Sequence, residues 1–346
     1  MTVPTHDAPA GVDGLLARIG VQAPFTLTRL PGGRNNRAYH VTTSGQAFFL
    51  KAYFRHPEDL RDRLGAEFGF LQFAWANGIR CVPQPLAADA GGALGLYGFV
   101  PGTRLTQADV NAVAVDRALE FHAQLNRCRF SPEAQRLPDA SEARFSMAGE
   151  LELVELRVSR LQAVEAEEAL AFIHGPFASV WARTREAFET AARQWGLAPD
   201  QELGVRERCL SPSDFGFHNA LRTPDGALCF VDFEYAGWDD PAKLVADFFC
   251  QPALPVPLAF FDRFARAVAG GFDDPKFHRR RMELLLPVFQ FKWCCILLNE
   301  FLPMPAERRN FGLGDGDMQA RRARQLELAR AALARVETLL ETLACD

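Results

Sequence analysis

The apolar pattern of this chain changes period near Val100–Gly102, and that single change dictates two unlike lobes. From Phe25 to Val100, the runs FTLTRL, RAYHVTT and QAFFLKAYF alternate as half-buried strands do, with Ser44–Gly45 as a short turn between the last two. Within this region Pro57–Asn77 switches to helical spacing: Leu60, Leu64, Phe68, Leu71 and Trp75 fall at three- and four-residue steps before Gly78 stops the run. VPQPLAAD and GGALGLYGFV supply two further strands. Beyond Pro101–Gly102 helical spacing dominates, with helices expected around 107–126, 142–163 and 177–195. The pattern predicts an α+β fold: a peripheral segment 1–23, an N-terminal lobe 24–100 of antiparallel sheet plus one helix, and a larger, mostly helical lobe 101–346. A chain of 346 residues is long enough to build both.

Composition removes several classes of function. With 38 Lys and Arg against 43 Asp and Glu the net charge is -5, so no cationic excess is available to neutralise a nucleic-acid backbone. No run of about eighteen residues stays apolar: Leu244–Phe261 is broken by Asp247, Gln251 and prolines, and Leu284–Leu298 by Pro287 and Lys292. A membrane span is therefore not expected. The first fifteen residues carry neither a basic region nor an apolar run, so no secretory signal is expected either. The eight cysteines, at 81, 128, 209, 229, 250, 294, 295 and 345, never form a C-x-x-C pair and read as thiols in a reducing cytoplasm rather than as zinc ligands.

The chemical signals crowd into Cys209–Phe249. Asp214 is followed five residues later by Asn219, and Asp232 ends the apolar run ALCFV after the turn sequence Thr223–Gly226. Pro-Asp-Gly in that turn makes the segment a hairpin, because Pro presets φ and Gly accepts positive φ. Upstream, Lys51 lies in the apolar strand FFLKAYF and Glu67 on the helix that follows. Lys51 is one of four lysines in the chain, and an ammonium in an apolar strand needs a carboxylate or a phosphate as partner. Gly32 and Gly33, in LPGGRNNRAYHV, give a turn whose backbone N–H groups can approach phosphate.

The order Asp-x4-Asn, hairpin, Asp is that of the catalytic loop and metal-binding segment of protein kinases. Over about residues 28–250 the chain resembles the aminoglycoside phosphotransferase and choline kinase branch of that superfamily. Gly32–Asn36 resembles its Gly-Gly-x-x-Asn turn, and YGFVPG at 97–102 its interlobe linker. Asp232–Phe233–Glu234, Ala236–Gly237 and Asp240–Pro241–Ala242 resemble its most specific segment. The resemblance implies a bilobal protein-kinase-like fold that uses ATP and Mg2+ to phosphorylate a small-molecule hydroxyl, such as that of a sugar or amino alcohol. Other functions open to the family are aminoglycoside modification and catalytically silent nucleotide binding.

By the same resemblance Asp214 is the catalytic base, and Asn219 and Asp232 bind magnesium. Gly32, Gly33, Asn36 and Lys51, with Glu67 behind the lysine, hold the phosphates, and Tyr97, Phe99 and Val100 lie near the base. The chain departs from the family at Pro212, where His usually stands two residues before the catalytic Asp, so other groups must supply the hydrogen bonds of that His.

Five further readings concern the helical lobe. His218 is expected to be a loop side chain bonded to backbone, and Glu234 either assists the metal or caps a turn. Asp240 and Asp247 are structural acceptors, or Asp239, Asp240 and Glu300 line an acceptor pocket. Lys292 and Trp293 belong to a packing helix or to the acceptor wall. The apolar seam Leu326, Ala329, Leu333, Val336, Leu340 and Leu343 is expected to dock on its own lobe, with homodimerisation as the alternative to a monomer.

Overall fold

The computed structural model describes residues 9–22, 24–31, 36–55, 59, 61–302 and 318–343. Five strands, β1 (Thr26–Leu30), β2 (Asn36–Thr42), β3 (Ala47–Tyr53), β4 (Pro85–Asp89) and β5 (Leu94–Gly98), form an antiparallel sheet in the order β1-β2-β3-β5-β4. Its alternation separates two faces. Tyr39, Val41, Phe48, Leu50, Leu94 and Leu96 make one apolar cluster with Val12, Leu15 and Leu16 of α1 (Val12–Arg18). On the other face Lys51 stands in mid-sheet, opposite Ala38 of β2 and Gly95 of β5. The helix α2 (Arg63–Ala76) brings Glu67 to that face.

Within the segment expected to be peripheral, the stretch 12–16 is not: Val12, Leu15 and Leu16 are buried in the small lobe's core. A seven-residue helix with three apolar contacts is too short for its period to stand out from sequence. Three of the predicted helices begin later than their apolar stripes suggest, because a polar side chain caps each of them. Asp62, Asn111 and Ser146 accept hydrogen bonds from the first free N–H groups of α2, α3 (Ala112–Arg127) and α4 (Met147–Leu161).

The large lobe adds α5 (Glu167–Phe172), α6 (Ala178–Trp195), α7 (Pro241–Cys250), α8 (Phe261–Ala269), α9 (Pro275–Leu298) and α10 (Met318–Leu343). Helix α9 is its centre and packs against α4, α6, α7, α8 and α10. The stretch Pro275–Phe301 is long and apolar enough to cross a membrane by composition, but 78% of its apolar window is buried inside the fold. Leu326, Ala329, Leu333, Val336 and Leu340 of α10 are buried, and that helix packs on α9 and α6, so the C-terminal seam docks on its own lobe. The seven described cysteines are free thiols.

Short strands complete the lobe and position its chemistry. β6 (Thr103–Arg104), β8 (Ala220–Arg222) and β9 (Leu228–Phe230) form one sheet, while β7 (Cys209–Ser211) pairs with β10 (Gly237–Asp239). The predicted hairpin is β8–β9. Its turn closes with Thr223 and Ala227 hydrogen-bonded at 3.0 Å and Gly226 at φ 82°. A Cβ on Gly237 would stand 2.2 Å from the Pro138 carbonyl oxygen, so only glycine lets β10 pass beneath that chain.

Candidate active site

Three consecutive residues after β9 tie the two lobes together. Lys51 donates to Glu67 Oε2 at 2.7 Å and to Asp232 Oδ1 at 2.5 Å, with Glu234 Oε2 3.7 Å away. The Phe233 N–H donates to Glu67 Oε1 at 3.2 Å, and the Asn36 amide donates to Glu234. Lys51 is buried, and burial alone would lower its pKa. The carboxylates of Asp232, Glu67 and Glu234 overcome that and hold it well above the usual lysine value, as an ammonium. Behind the pair, the Tyr53 hydroxyl donates to Glu67 Oε2 at 2.6 Å and meets the Tyr97 hydroxyl at 2.6 Å.

The Asp214 loop follows β7. Asp214 is pinned by its own segment: its N–H bonds the Pro212 carbonyl at 2.9 Å, its Oδ1 lies 3.1 Å from His218 Nε2, and its Oδ2 accepts from Asn219 Nδ2 at 3.2 Å. Burial raises its carboxyl pKa, but the bonds from His218 and Asn219 outweigh this and hold the group below the ordinary carboxylate value. Asp214 is therefore ionised at neutral pH, with 34% of its side chain open to solvent. His218 can approach because residue 216 is glycine: a Cβ there would lie 2.7 Å from His218 Nδ1.

Ser213 adopts φ 67° and Asp232 φ 70°, left-handed conformations that cost non-glycine residues about 1–2 kcal/mol each. The Ser211 hydroxyl accepts from the Ser213 N–H at 2.9 Å, and Lys243 donates to Ser213 Oγ at 2.8 Å. Lys243 spends its other N–H groups on Asp239 at 2.8 Å and Asp247 at 2.9 Å. This network supports the loop where Pro212 cannot. Lys243 was not singled out from sequence. The available signal was its spacing of four residues from both Asp239 and Asp247, one just before α7 and the other one turn further along it.

Asn219 stands just before β8 and Asp232 just after β9, and the two ends meet where the Val231 N–H bonds the Asn219 carbonyl at 2.9 Å. The Asn219 amide nitrogen is engaged by Asp214, which leaves Oδ1 as the atom that could hold a cation. Asp232 keeps 45% of its side chain exposed although its neighbour Phe233 is buried. A carboxylate and an amide oxygen are donor types that a hard divalent cation takes.

The other residues singled out from sequence are dispersed. Gly32 and Gly33 lie outside the described residues. Asn36 is buried, with Oδ1 accepting from the Phe54 N–H at 3.2 Å and Nδ2 turned to Glu234, so its amide joins the lobes. Tyr97 is buried behind Glu67, whereas Phe99 packs at a tilt against His40 with centroids 4.1 Å apart and Val100 is half-buried at the linker. His218 contacts the Asp214 carboxylate rather than backbone. Asp240 caps α7 and pairs with Arg281 inside the lobe.

A profile of the phosphotransferase enzyme family matches residues 26–285, well over half of the sequence. The chain belongs to that family. As a family member it is a small-molecule phosphotransferase with the protein-kinase-like fold. A choline/ethanolamine kinase family protein from Mesorhizobium loti superposes with TM-score 0.61 at 17% identity, covering 99% of each chain. Spectinomycin phosphotransferase, solved with ADP and spectinomycin, gives 0.58 at 12% identity over 93% of this chain and 97% of its own. Choline kinase LicA from Streptococcus pneumoniae gives 0.56 at 14% identity over 92% and 98%. At these identities the likeness is one of fold. No curated protein matches the phosphotransferase sequence significantly.

Proposed function

We propose that this phosphotransferase moves the γ-phosphoryl group of ATP to a hydroxyl of a small hydroxylated metabolite, with Asp214 accepting the hydroxyl proton. The observation that carries the reading is the ionised, part-exposed Asp214 held by Asn219 and His218 in the loop before the hairpin whose far end presents Asp232. Asp214 orients the nucleophile. Lys51, protonated and braced by Glu67, neutralises phosphate charge once nucleotide displaces Asp232 from it. Asn219 Oδ1 and Asp232 would hold Mg2+, which supplies charge neutralisation at the phosphates when bound. Catalysis is then positioning and electrostatics, with no covalent enzyme intermediate. The ADP in the spectinomycin phosphotransferase structure supports nucleotide use at this cleft.

A polycationic acceptor such as an aminoglycoside is less well supported, because Asp239 and Asp247 already hold Lys243 and Asp240 holds Arg281. The silent-binder reading draws on Pro212, but the Ser211–Ser213–Lys243 network replaces the missing support. The test is Mg2+-dependent ADP formation from ATP against sugars, amino alcohols, hydroxy acids and aminoglycosides. One acceptor that raises turnover in the wild type supports the reading. ATP binding with neither hydrolysis nor transfer would favour the silent binder.

A further inference from the structure

Adjacent residues of one short turn supply the hydrogen bonds that the Asp214 carboxylate receives. Phe217–Asn219 form a single helical turn after Gly216, closed by the Asn219 N–H on the Gly216 carbonyl at 3.1 Å. Phe217 is buried against Phe248, with ring centroids 5.1 Å apart, while His218 and Asn219 turn back to Asp214. Oδ1 meets His218 Nε2 at 3.1 Å and Oδ2 meets Asn219 Nδ2 at 3.2 Å. An ionised carboxylate only accepts, so Nε2 carries the proton of the first bond.

The two donors are not equivalent. Asn219 Nδ2 divides itself between the Asp214 main-chain carbonyl at 3.0 Å and Oδ2 at 3.2 Å. His218 has the carboxylate alone: among the described residues its Nδ1 is buried without a partner. A ring that served only the fold of the loop would turn that nitrogen to a backbone group. The backbone is also shaped around the ring, since a Cβ on Gly216 would stand 2.7 Å from His218 Nδ1, 2.9 Å from its Cε1 and 3.2 Å from Gln251 Cγ. Gln251 has no room to yield, being fully buried with both ends of its amide bonded to Leu254.

A carboxylate turns easily about its last torsion, which lacks sharp staggered wells. One donor on each oxygen fixes its plane and leaves each oxygen a lone pair for the acceptor hydroxyl. Lys243 acts one residue earlier, on Ser213, and Pro212 has no N–H to offer. Resting on the phosphotransfer reading, we propose that His218 is the positioning residue of the base, holding the plane of the Asp214 carboxylate through Nε2.

The test is steady-state ADP formation from Mg-ATP by full-length variants. Water is one acceptor, and the other is whichever sugar, amino alcohol, hydroxy acid or aminoglycoside gives the highest turnover. His218→Phe keeps an aromatic ring and removes the donor. Its kcat should fall by at least about tenfold, the loss of one hydrogen bond to a charged group, while KM for ATP and acceptor stays near the wild-type value. His218→Gln, whose Nε2 can donate from the same reach, should recover most of that loss. Gly216→Ala displaces the ring without altering it, so it should lower kcat as His218→Phe does, and the double variant should be no slower than either single one. Wild-type kcat in His218→Phe overturns the proposal. So does a His218→Gln variant as slow as His218→Phe, since the hydrogen bond would then not be what matters. If thermal unfolding shows that His218→Phe does not fold, an undiminished kcat in Gly216→Ala overturns it instead. Asp214→Asn is read in parallel. If it is inactive while His218→Phe is not, only the positioning role fails. If Asp214→Asn consumes ATP as the wild type does, or the wild type turns over no acceptor, the phosphotransfer reading itself fails.

Discussion

At the scale of single residues the site is a set of charges whose types were readable and whose directions were not. Lys51, Glu67, Asp214, Asn219 and Asp232 are residues of the right chemistry at the right separations, and the structure joins Lys51 to Glu67 and Asp232, and Asp214 to Asn219. Tyr97 was legible as a linker residue but not as a buried hydroxyl in contact with Tyr53, because nothing in a five-residue strand says which face the ligand takes. Asn36 was read as a phosphate contact, whereas its amide is spent on Phe54 and Glu234 across a sequence separation no local pattern can reveal. Replacing Lys51 by Met leaves Glu67 and Glu234 buried without their cation. The expected outcome is a loss of about 3 kcal/mol in urea unfolding, with Mg-ATP affinity reduced as well.

At the scale of elements the strands and most helices follow from apolar period, and their ends follow from capping side chains that period does not weigh. Helix α7 shows what remained hidden. Its ten residues are all buried, so a charged residue within it looked incidental, yet Lys243 holds the loop of Ser213 as well as Asp239 and Asp247. Lys243→Met should lower kcat while leaving the KM for ATP nearly unchanged, because the loop carrying Asp214 loses its anchor and the Lys51 cluster does not. Steady-state kinetics with ATP varied at fixed acceptor checks this. A variant with wild-type kcat would show that Ser213 keeps its left-handed geometry without the lysine.

At the scale of the molecule, two lobes are held by contacts that converge on Asp232–Glu234, and the large lobe is built around α9. Its core also encloses two histidines that do not serve the site. Burial, with the nearby Arg129 charge, lowers His122 to about 4. Burial likewise lowers His278 to about 4, with Arg281 adding to the effect and Asp240 opposing it. Unfolded histidines titrate near 6.5, so between about 6.5 and 4 the unfolded chain binds more protons and stability falls as pH falls. Each histidine should remove about 2 kcal/mol between pH 7 and pH 5. Urea unfolding at the two pH values measures the slope, and His122→Gln should flatten it. A bound ligand adds the opposite term. Mg-ATP at about a hundred times its Kd should stabilise the fold by about 2.7 kcal/mol, visible as a raised Tm that chelation of the metal reduces.

The central claim, that Asp214 is the group that activates an acceptor hydroxyl, is tested most directly by comparing acceptor-dependent ADP formation in the wild type and Asp214→Asn, with the Kd for Mg-ATP measured on the same samples. The account predicts turnover reduced by about 10²–10⁴-fold, the contribution of a positioned general base, with a Kd close to that of the wild type. Undiminished turnover in Asp214→Asn would contradict it.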